Sequence, residues 1–272
     1  MYNRFLDILV SGPFETDISR NTVAAQLGAA DTVQASGSPT TSFAVKHPQL
    51  PETFVQIDVH VCSTDTFEWE FFHQSYGDLW NLLGTMIRPL GLTANDAGMH
   101  LRIEEIEMSN KKRSMLLLTK SPTETLKFLD LNEKVYERGF SRVEQMFDFI
   151  RACRFFDVSA YCRHGLKAND RKRLAQREVF REFVDNWVPK NWHSELDAFS
   201  AFVPSRREVT KEALDVFKKE EQCKVMVRQW TQERSDLLRR QEARASRKDA
   251  LAEDEQYVNA WSCWLTQNAE QE

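Results

Sequence analysis

The stretch from Phe54 to Cys62 alternates strictly, with valine or isoleucine at every second position from 55 to 61. A two-residue period places successive side chains on opposite faces, so this stretch predicts a β-strand with one apolar face. Asp58 and His60 then project together from the other face. Because a lone strand is not stable in water, the first half of the chain is expected to build a sheet around this one.

The rest of the first half favours a mixture of strands and helices. Residues 6–10 are a short apolar run followed by a turn sequence, which predicts a buried strand. Residues 23–27 predict a short helix that Gly28 ends. The Gly-Ser-Pro sequence at 37–39 predicts a hairpin turn between two further strands.

Helical patterns predominate in the rest of the chain. Between residues 76 and 90 the apolar side chains recur at helical spacing, which predicts an amphipathic helix. Short strands are predicted over residues 100–106 and 115–119. They lie on either side of a charged turn.

Three Ser-x-x-Glu sequences mark predicted helix starts at Ser121, Ser141 and Ser205. In such a capping box the serine oxygen accepts an amide proton of the first turn, and the glutamate reaches back to the serine amide. The third box opens a helix that is predicted to run from residue 209 to about residue 251, because this stretch has no proline or glycine. Its polar second half indicates projection into solvent.

Charge is unevenly distributed along the chain. The 272 residues include 36 Lys+Arg and 41 Asp+Glu, a net charge of −5. Residues 162–181 nevertheless hold seven basic and two acidic side chains, a local net charge of +5. A basic face can contact phosphate groups, and the candidate nucleic-acid contacts are Arg171, Lys172 and Arg173. A solvated helix face explains the same charges, and both interpretations stay open here.

The sequence also bears on location. It has neither an apolar run long enough to span a bilayer nor the pattern of a signal peptide. Five cysteines, an odd number without paired spacing, favour a reducing compartment. We therefore expect an intracellular protein, in the cytoplasm or nucleus, without a membrane partner.

Two carboxylates on predicted strands are candidates for metal chemistry. Asp7 and Asp58 can together hold Mg²⁺, which prefers oxygen ligands and leaves positions open for phosphate oxygens. Such ions stabilise the attacking and leaving oxygens in phosphoryl transfer. Alternatively, each aspartate is an exposed or hydrogen-bonded structural residue. His60 is expected to be a hydrogen-bonded neighbour rather than a ligand. Glu68 and Glu70 flank Trp69 and could approach the site, but are expected to be solvated loop carboxylates.

The order of these features resembles the palm and thumb of the family X DNA polymerases, within the nucleotidyltransferase superfamily, and is similar to fungal proteins related to that family. The resemblance covers roughly residues 4–140 and no single motif carries it. Its segments are, in chain order, residues 6–11, 56–59, 75–81, 91–99 and 121–131. The first two segments are similar to the metal-binding strands of the family, and the third to its Thr-Gly-Ser-x-x-Phe-Asn thumb segment. The fourth is similar to its Gly-x-Thr turn, and the fifth to its late helix.

The resemblance implies an α+β architecture in three parts. Residues 1–74 would form a partial nucleotidyltransferase palm with a mixed sheet, and residues 75–140 a small α+β thumb. Residues 141–272 would form a helical C-terminal extension with a long charged helix and a tryptophan-containing tail.

The resemblance also implies a function. Asp7 and Asp58 would ligate Mg²⁺ or Mn²⁺, and Asp58 would help to deprotonate the attacking hydroxyl during nucleotide transfer. The residues implied to contact a nucleoside triphosphate are Ser75, Tyr76, Asp78 and Asn81.

This sequence departs from the family at the site itself. The first metal-ligating aspartate should stand where Phe5 is, and the Gly-Ser motif that holds the triphosphate should lie before it. Residues 83–85 lack the basic residue of the thumb helix. One explanation is a start upstream of Met1. The other is an inactive relative that binds nucleic acid through residues 163–181, or protein through the C-terminal helix. A helical scaffold in a complex is a third alternative.

Overall fold

The computed structural model describes residues 5–12, 19–50, 52–191 and 203–269. Within these ranges two small sheets and a larger set of helices form a mixed α+β fold, which confirms the predicted class at that level. None of the helices described has the length and the apolar content needed to cross a membrane.

The first sheet contains the strands β1 (Phe5–Ser11), β2 (Ala29–Gln34), β3 (Thr40–Lys46) and β4 (Phe54–Cys62). Their order is β1-β4-β3-β2. Strand β1 runs parallel to β4, whereas β3 is antiparallel to both of its neighbours. The alternating strand and the hairpin at 37–39 are thus confirmed. A parallel pair needs a long crossover connection, and the chain from β1 to β4 supplies it.

A short helix, α1 (Arg20–Leu27), lies against β2 and β3. Its start is fixed by Ser19, whose hydroxyl accepts the amide of Thr22. Its end is fixed by Gly28, which has a φ of 60° and returns its amide to the last turn. The end at Gly28 follows the sequence prediction, whereas the helix begins at Arg20, three residues before the predicted stretch.

The second layer begins with α2 (Phe67–Gln74) and α3 (Leu79–Ile87), followed by an antiparallel sheet of β5 (Leu92–Asn95), β6 (Gly98–Arg102) and β7 (Met115–Thr119). The helix predicted between 76 and 90 is confirmed over Leu79–Ile87. The strand predicted over 100–106 is wrong beyond Arg102, because α4 (Glu104–Glu107) occupies its second half. The negative charges of α4 suit the N-terminal end of a helix.

The remaining helices are α5 (Pro122–Phe128), α6 (Glu133–Arg138), α7 (Val143–Arg151), α8 (Ala168–Gln176), α9 (Glu178–Glu182), α10 (Val188–Asn191), α11 (Arg206–Val216) and α12 (Glu220–Ala269), with a 3₁₀ turn at Val158–Tyr161 and a π-helical turn at Phe183–Trp187. One hydrophobic core, with buried residues from Trp69 to Ala213, joins these helices to α2, α3 and the second sheet. The stretches 75–140 and 141–191 therefore share a core.

Two of the three predicted capping boxes begin helices. The hydroxyls of Ser121 and Ser205 accept the amide three residues later, and at Ser205 the glutamate also returns to the serine amide. At Ser141 the prediction is wrong by one residue, because the N-cap is Arg142. Helix α7 begins at Val143, because the Gln145 side chain accepts the Ser141 amide.

The long helix predicted from residue 209 is wrong, because it is broken into α11 and α12. Lys218 adopts a φ of 55° between them. The amide of Lys219 turns back to the carbonyl of Leu214 at 2.8 Å. The ring of Phe217 packs on Phe128, with the ring centroids 5.1 Å apart. Burial of this ring offsets the cost of a left-handed lysine, so tertiary packing ends the helix.

Candidate metal and nucleotide site

Asp7 and Asp58 lie side by side on the polar face of the first sheet. In the parallel pair, Asp7 of β1 is the register partner of Asp58 of β4. On the other side of β4, the partner of Asp58 is Ser42. Residues in register on neighbouring strands share a face, so both carboxylates project in the same direction. The structure therefore brings together the two aspartates that the sequence selects.

Gln56 fixes the orientation of the Asp58 carboxylate. Its amide nitrogen, Nε2, donates to Oδ1 and Oδ2 of Asp58 at 2.9 and 3.1 Å. The same nitrogen lies 3.4 Å from the hydroxyl of Ser42. Over the described ranges, no lysine or arginine forms an ion pair with Asp7 or Asp58. Asp58 is half-buried and Asp7 is exposed, so neutral donors orient one carboxylate and both remain able to bind a cation.

A second polar network lies one step further along β4. His60 Nδ1 is hydrogen-bonded to the hydroxyl of Thr40 at 2.8 Å, and Nε2 contacts Oε2 of Glu70 at 2.8 Å. The hydroxyl of Thr66 donates to the other oxygen of Glu70 at 2.6 Å. Both ring nitrogens are engaged, which confirms His60 as a hydrogen-bonded neighbour. This network connects α2 to the sheet that carries Asp58.

Glu70 is the residue that the sequence analysis placed wrongly. It is buried within α2 rather than solvated in a loop. The signal was available, because Glu70 lies between Trp69 and Phe72, which both face the core. A carboxylate flanked by core positions in a helix needs a buried partner. His60 is that partner.

The position of Phe5 limits the number of acidic ligands. Phe5 pairs with Gln56 in β1, so position 5 shares a face with Asp7. No group of three or more His, Cys, Asp or Glu side chains that could hold a metal occurs in the described ranges. The two aspartates fit a hard divalent cation, since Mg²⁺ commonly uses one or two carboxylates and takes further oxygens from water and phosphate.

The four residues selected as nucleotide contacts have internal partners. Ser75 donates to the carbonyl of Phe71, and Tyr76 donates to the carbonyl of Tyr136 at 2.7 Å. Burial raises the pKa of the Tyr76 phenol. In the described structure neither residue is bonded to Asp7 or Asp58.

Asp78 and Asn81 form a second pair at the start of α3. The Asn81 amide donates to Oδ1 of Asp78 at 2.9 Å, and Arg177 donates to the same oxygen at 2.9 Å. Asp78 is 9% exposed. Its carboxylate therefore joins α3 to α9, and a role in nucleotide contact remains a prediction.

The basic stretch at 163–181 is largely engaged within the chain. The guanidinium of Arg163 binds Asp185 through two nitrogens, at 2.8 and 2.6 Å. Arg171 and Arg181 donate to backbone carbonyls. Lys167 and Lys172, by contrast, are exposed.

Asp170 binds two arginines at once. Its Oδ1 accepts from Arg88 at 2.6 Å and from Arg173 at 2.8 Å, and the carboxylate is almost fully buried. Burial lowers the pKa of Arg88, and the charge of Asp170 opposes this shift. Arg88, at the end of α3, therefore joins α3 to α8 through Asp170, whereas Arg173 pairs with Asp170 within α8. Of the three candidate nucleic-acid contacts, Arg171 and Arg173 have partners inside the chain and Lys172 is exposed.

Comparison with protein-family models, curated proteins and solved structures finds no match to this chain. The functional assignment therefore depends on the residues described above.

Proposed function

We propose that this protein is nucleotidyltransferase-like: it binds a nucleoside triphosphate with Mg²⁺ or Mn²⁺ at Asp7 and Asp58 and transfers the nucleotide to a hydroxyl acceptor. The acceptor oxygen forms a bond to the α-phosphorus, the bond from that phosphorus to the oxygen that bridges to the β-phosphate breaks, and pyrophosphate leaves. The observation that supports this proposal is the register of β1 and β4, which pairs the two aspartates on one face. The order strand, helix, hairpin, strand agrees with the family resemblance.

The side chains of the site have distinct roles in this proposal. Asp7 and Asp58 hold the cation, which when bound neutralises charge on the phosphate oxygens. Asp58 accepts the proton of the acceptor hydroxyl. Gln56 orients Asp58 through its two hydrogen bonds, and a positioned carboxylate is the arrangement that general-base catalysis needs.

A second candidate function is binding of the metal–nucleotide complex without transfer. Phe5 favours it, because position 5 shares the face of Asp7 and supplies no third carboxylate. In this case the protein acts as a pseudoenzyme that presents a nucleotide, a nucleic acid or a partner protein. Both candidates suit a reducing intracellular compartment, since the described cysteines are free thiols.

Thermal unfolding with and without nucleotide tests the shared part of both candidates. We expect Mg²⁺ or Mn²⁺ with a nucleoside triphosphate to raise the melting temperature of the wild-type protein, because a ligand that binds only the folded state stabilises it. Asp58→Asn should abolish this rise. Asp31→Asn is the matched control, since Asp31 is an exposed carboxylate of the same sheet that bonds only a neighbouring amide. An equal rise in wild type and Asp58→Asn would exclude the site.

Transfer of a labelled nucleotide separates the two candidates. Incorporation into a hydroxyl acceptor by wild type, lost in Asp58→Asn and kept in Asp31→Asn, supports nucleotidyl transfer. Stabilisation without incorporation supports the binding function. The variant Phe5→Asp adds a carboxylate position beside Asp7, and we expect it to tighten cation binding in either case.

A further inference from the structure

Helix α12 continues far beyond the residues that attach it to the core. Its first turns are anchored by Trp230, which lies 5.1 Å beneath the guanidinium of Arg113, and by Glu233, which pairs with the same arginine. Beyond this anchor, every side chain described at 237–246 and 254–260 is exposed. The outer part of the helix, residues 237–261, is called the arm below. It is about 37 Å long at 1.5 Å per residue.

Large apolar side chains are exposed on the arm. Leu237 and Leu238 are 55% and 51% exposed, and Tyr257 and Val258 are 77% and 64% exposed. Exposed apolar groups of this size on a helix that carries many charges are typical of an interaction surface.

A heptad pattern runs along the arm. Leu237 and Val258 are 21 residues apart, which is three heptads, so they occupy the same heptad position. The two seam positions of each heptad are occupied by Leu237, Arg240, Arg244, Arg247, Leu251, Asp254, Val258 and Trp261. The same heptad positions nearer the core are Cys223, Met226, Trp230 and Glu233; the first three pack against the core, and Glu233 is exposed and pairs with Arg113. The arm continues this line outward with four apolar and four charged residues, and no described element covers it.

Charge is separated along the outer part of the helix. Residues 234–248 contain six Lys+Arg and two Asp+Glu, whereas residues 249–269 contain four Asp+Glu and no Lys or Arg. The basic half of one helix thus matches the acidic half of a second helix that runs in the opposite direction. Such a match favours association and sets its orientation.

We propose that the arm pairs with the arm of a second copy of this chain, antiparallel and centred near residue 249. In this alignment seam positions meet seam positions of the partner. Arg240 faces the partner's Val258, and Arg244 faces the partner's Asp254.

A parallel pair of arms is disfavoured by the same residues. It places Arg240, Arg244 and Arg247 each opposite its own copy, and like charges at a seam are strongly unfavourable. The antiparallel arrangement instead gives Arg244 an acidic partner, in two symmetric ion pairs with Asp254 of the partner subunit, and places Arg240 opposite the partner's Val258. This proposal does not depend on the proposed nucleotide site.

The test measures the mass of the full chain in solution by light scattering, over a range of concentrations, for wild type and two charge reversals. We expect a reversible dimer for wild type, and monomers for Arg244→Glu and for Asp254→Arg, since each reversal places like charges opposite each other twice. An equimolar mixture of the two variants should dimerise again, because both pairs then become complementary. The matched control is Arg239→Glu, an equal charge change away from the seam, which should still dimerise.

Three results would overturn the proposal. They are a wild type that stays monomeric, a mixture of the two variants that stays monomeric, and a control that loses the dimer as fully as Arg244→Glu. Folding of each variant is checked by its helical circular dichroism and its melting temperature. Because all three substitutions lie in the exposed arm, both should match the wild type.

Discussion

Replacement of Asp170 by asparagine tests whether ion pairs of the basic stretch at 163–181 stabilise the fold. The substitution keeps the size of the side chain and removes its charge. In the folded protein it leaves Arg88 and Arg173 facing a neutral amide at a position where the acidic side chain is 3% exposed. Both arginines can still donate to the remaining oxygen, since Oδ1 accepts both bonds in the wild type, but neither keeps the charge of Asp170 as its partner.

The expected cost follows from the burial of the three groups. Breaking a buried ion pair by removing one partner costs about 3–5 kcal/mol of unfolding free energy. The side chains of Arg88 and Arg173 are 24% and 25% exposed, so water compensates them in part, and we expect the lower end, about 3 kcal/mol. For a folded unit of this size about 1 kcal/mol shifts the melting temperature by roughly 2–4 °C, which gives roughly 6–12 °C.

Differential scanning calorimetry measures this loss, with Asp185→Asn as the control. Asp185 also binds an arginine through two nitrogens, but its partner Arg163 is 68% exposed. An exposed pair contributes about 0–1 kcal/mol, so the control should shift by no more than a few degrees. Adding Arg88→Met to Asp170→Asn should recover part of the loss, since it removes an uncompensated buried charge. Equal shifts for Asp170→Asn and Asp185→Asn would refute the reasoning.

Three further predictions concern metal binding, pH and nucleic acid. Gln56→Glu places a third carboxylate beside Asp58, so Mg²⁺ should raise the melting temperature of this variant more than that of the wild type. A chelator should lower the melting temperature of the variant again. An unchanged response to Mg²⁺ contradicts the site. Burial lowers the pKa of His100, so the unfolded chain binds the proton more tightly and stability should fall as the pH drops below about 6.5. Urea unfolding should show that His100→Gln reduces this fall, and an unchanged pH dependence counts against the assignment. If residues 163–181 contact nucleic acid, replacing the exposed Lys167 and Lys172 by glutamate should lower the affinity measured by gel shift and reduce its salt dependence. An unchanged affinity would place the contact elsewhere.

Features governed by neighbours in the sequence could be predicted well. Strand β4 was predicted with its observed bounds, because a two-residue period depends on nothing outside the strand. The end of α1 followed from Gly28, whose backbone freedom acts within one turn. The sequence predicts the two strands that carry Asp7 and Asp58, but not the register that places the two aspartates side by side.

Features governed by distant residues could not be predicted. Arg177 and Asp78 are 99 positions apart, so a charge count over 163–181 does not show that this arginine is already paired. The break at Lys218 has no glycine or proline to announce it, because the packing of Phe217 on Phe128 sets it. Trp69 and Phe72 signal locally that Glu70 is buried, but its pairing with His60 depends on how α2 packs on the sheet.

The register of β1 on β4 decides whether the candidate site exists at all. A shift of one residue turns every side chain of a strand to the other face, so Asp7 would then point away from Asp58. The apolar residues Ile8 and Val10 oppose this shift, because in the observed register they share the face of Val59. Both side chains are half-buried on that face, so their packing favours the register that pairs the two carboxylates. Replacing Ile8 by a polar residue should therefore weaken cation binding even though it contributes no ligand. Unchanged cation binding in Ile8→Thr would show that the site is independent of this register.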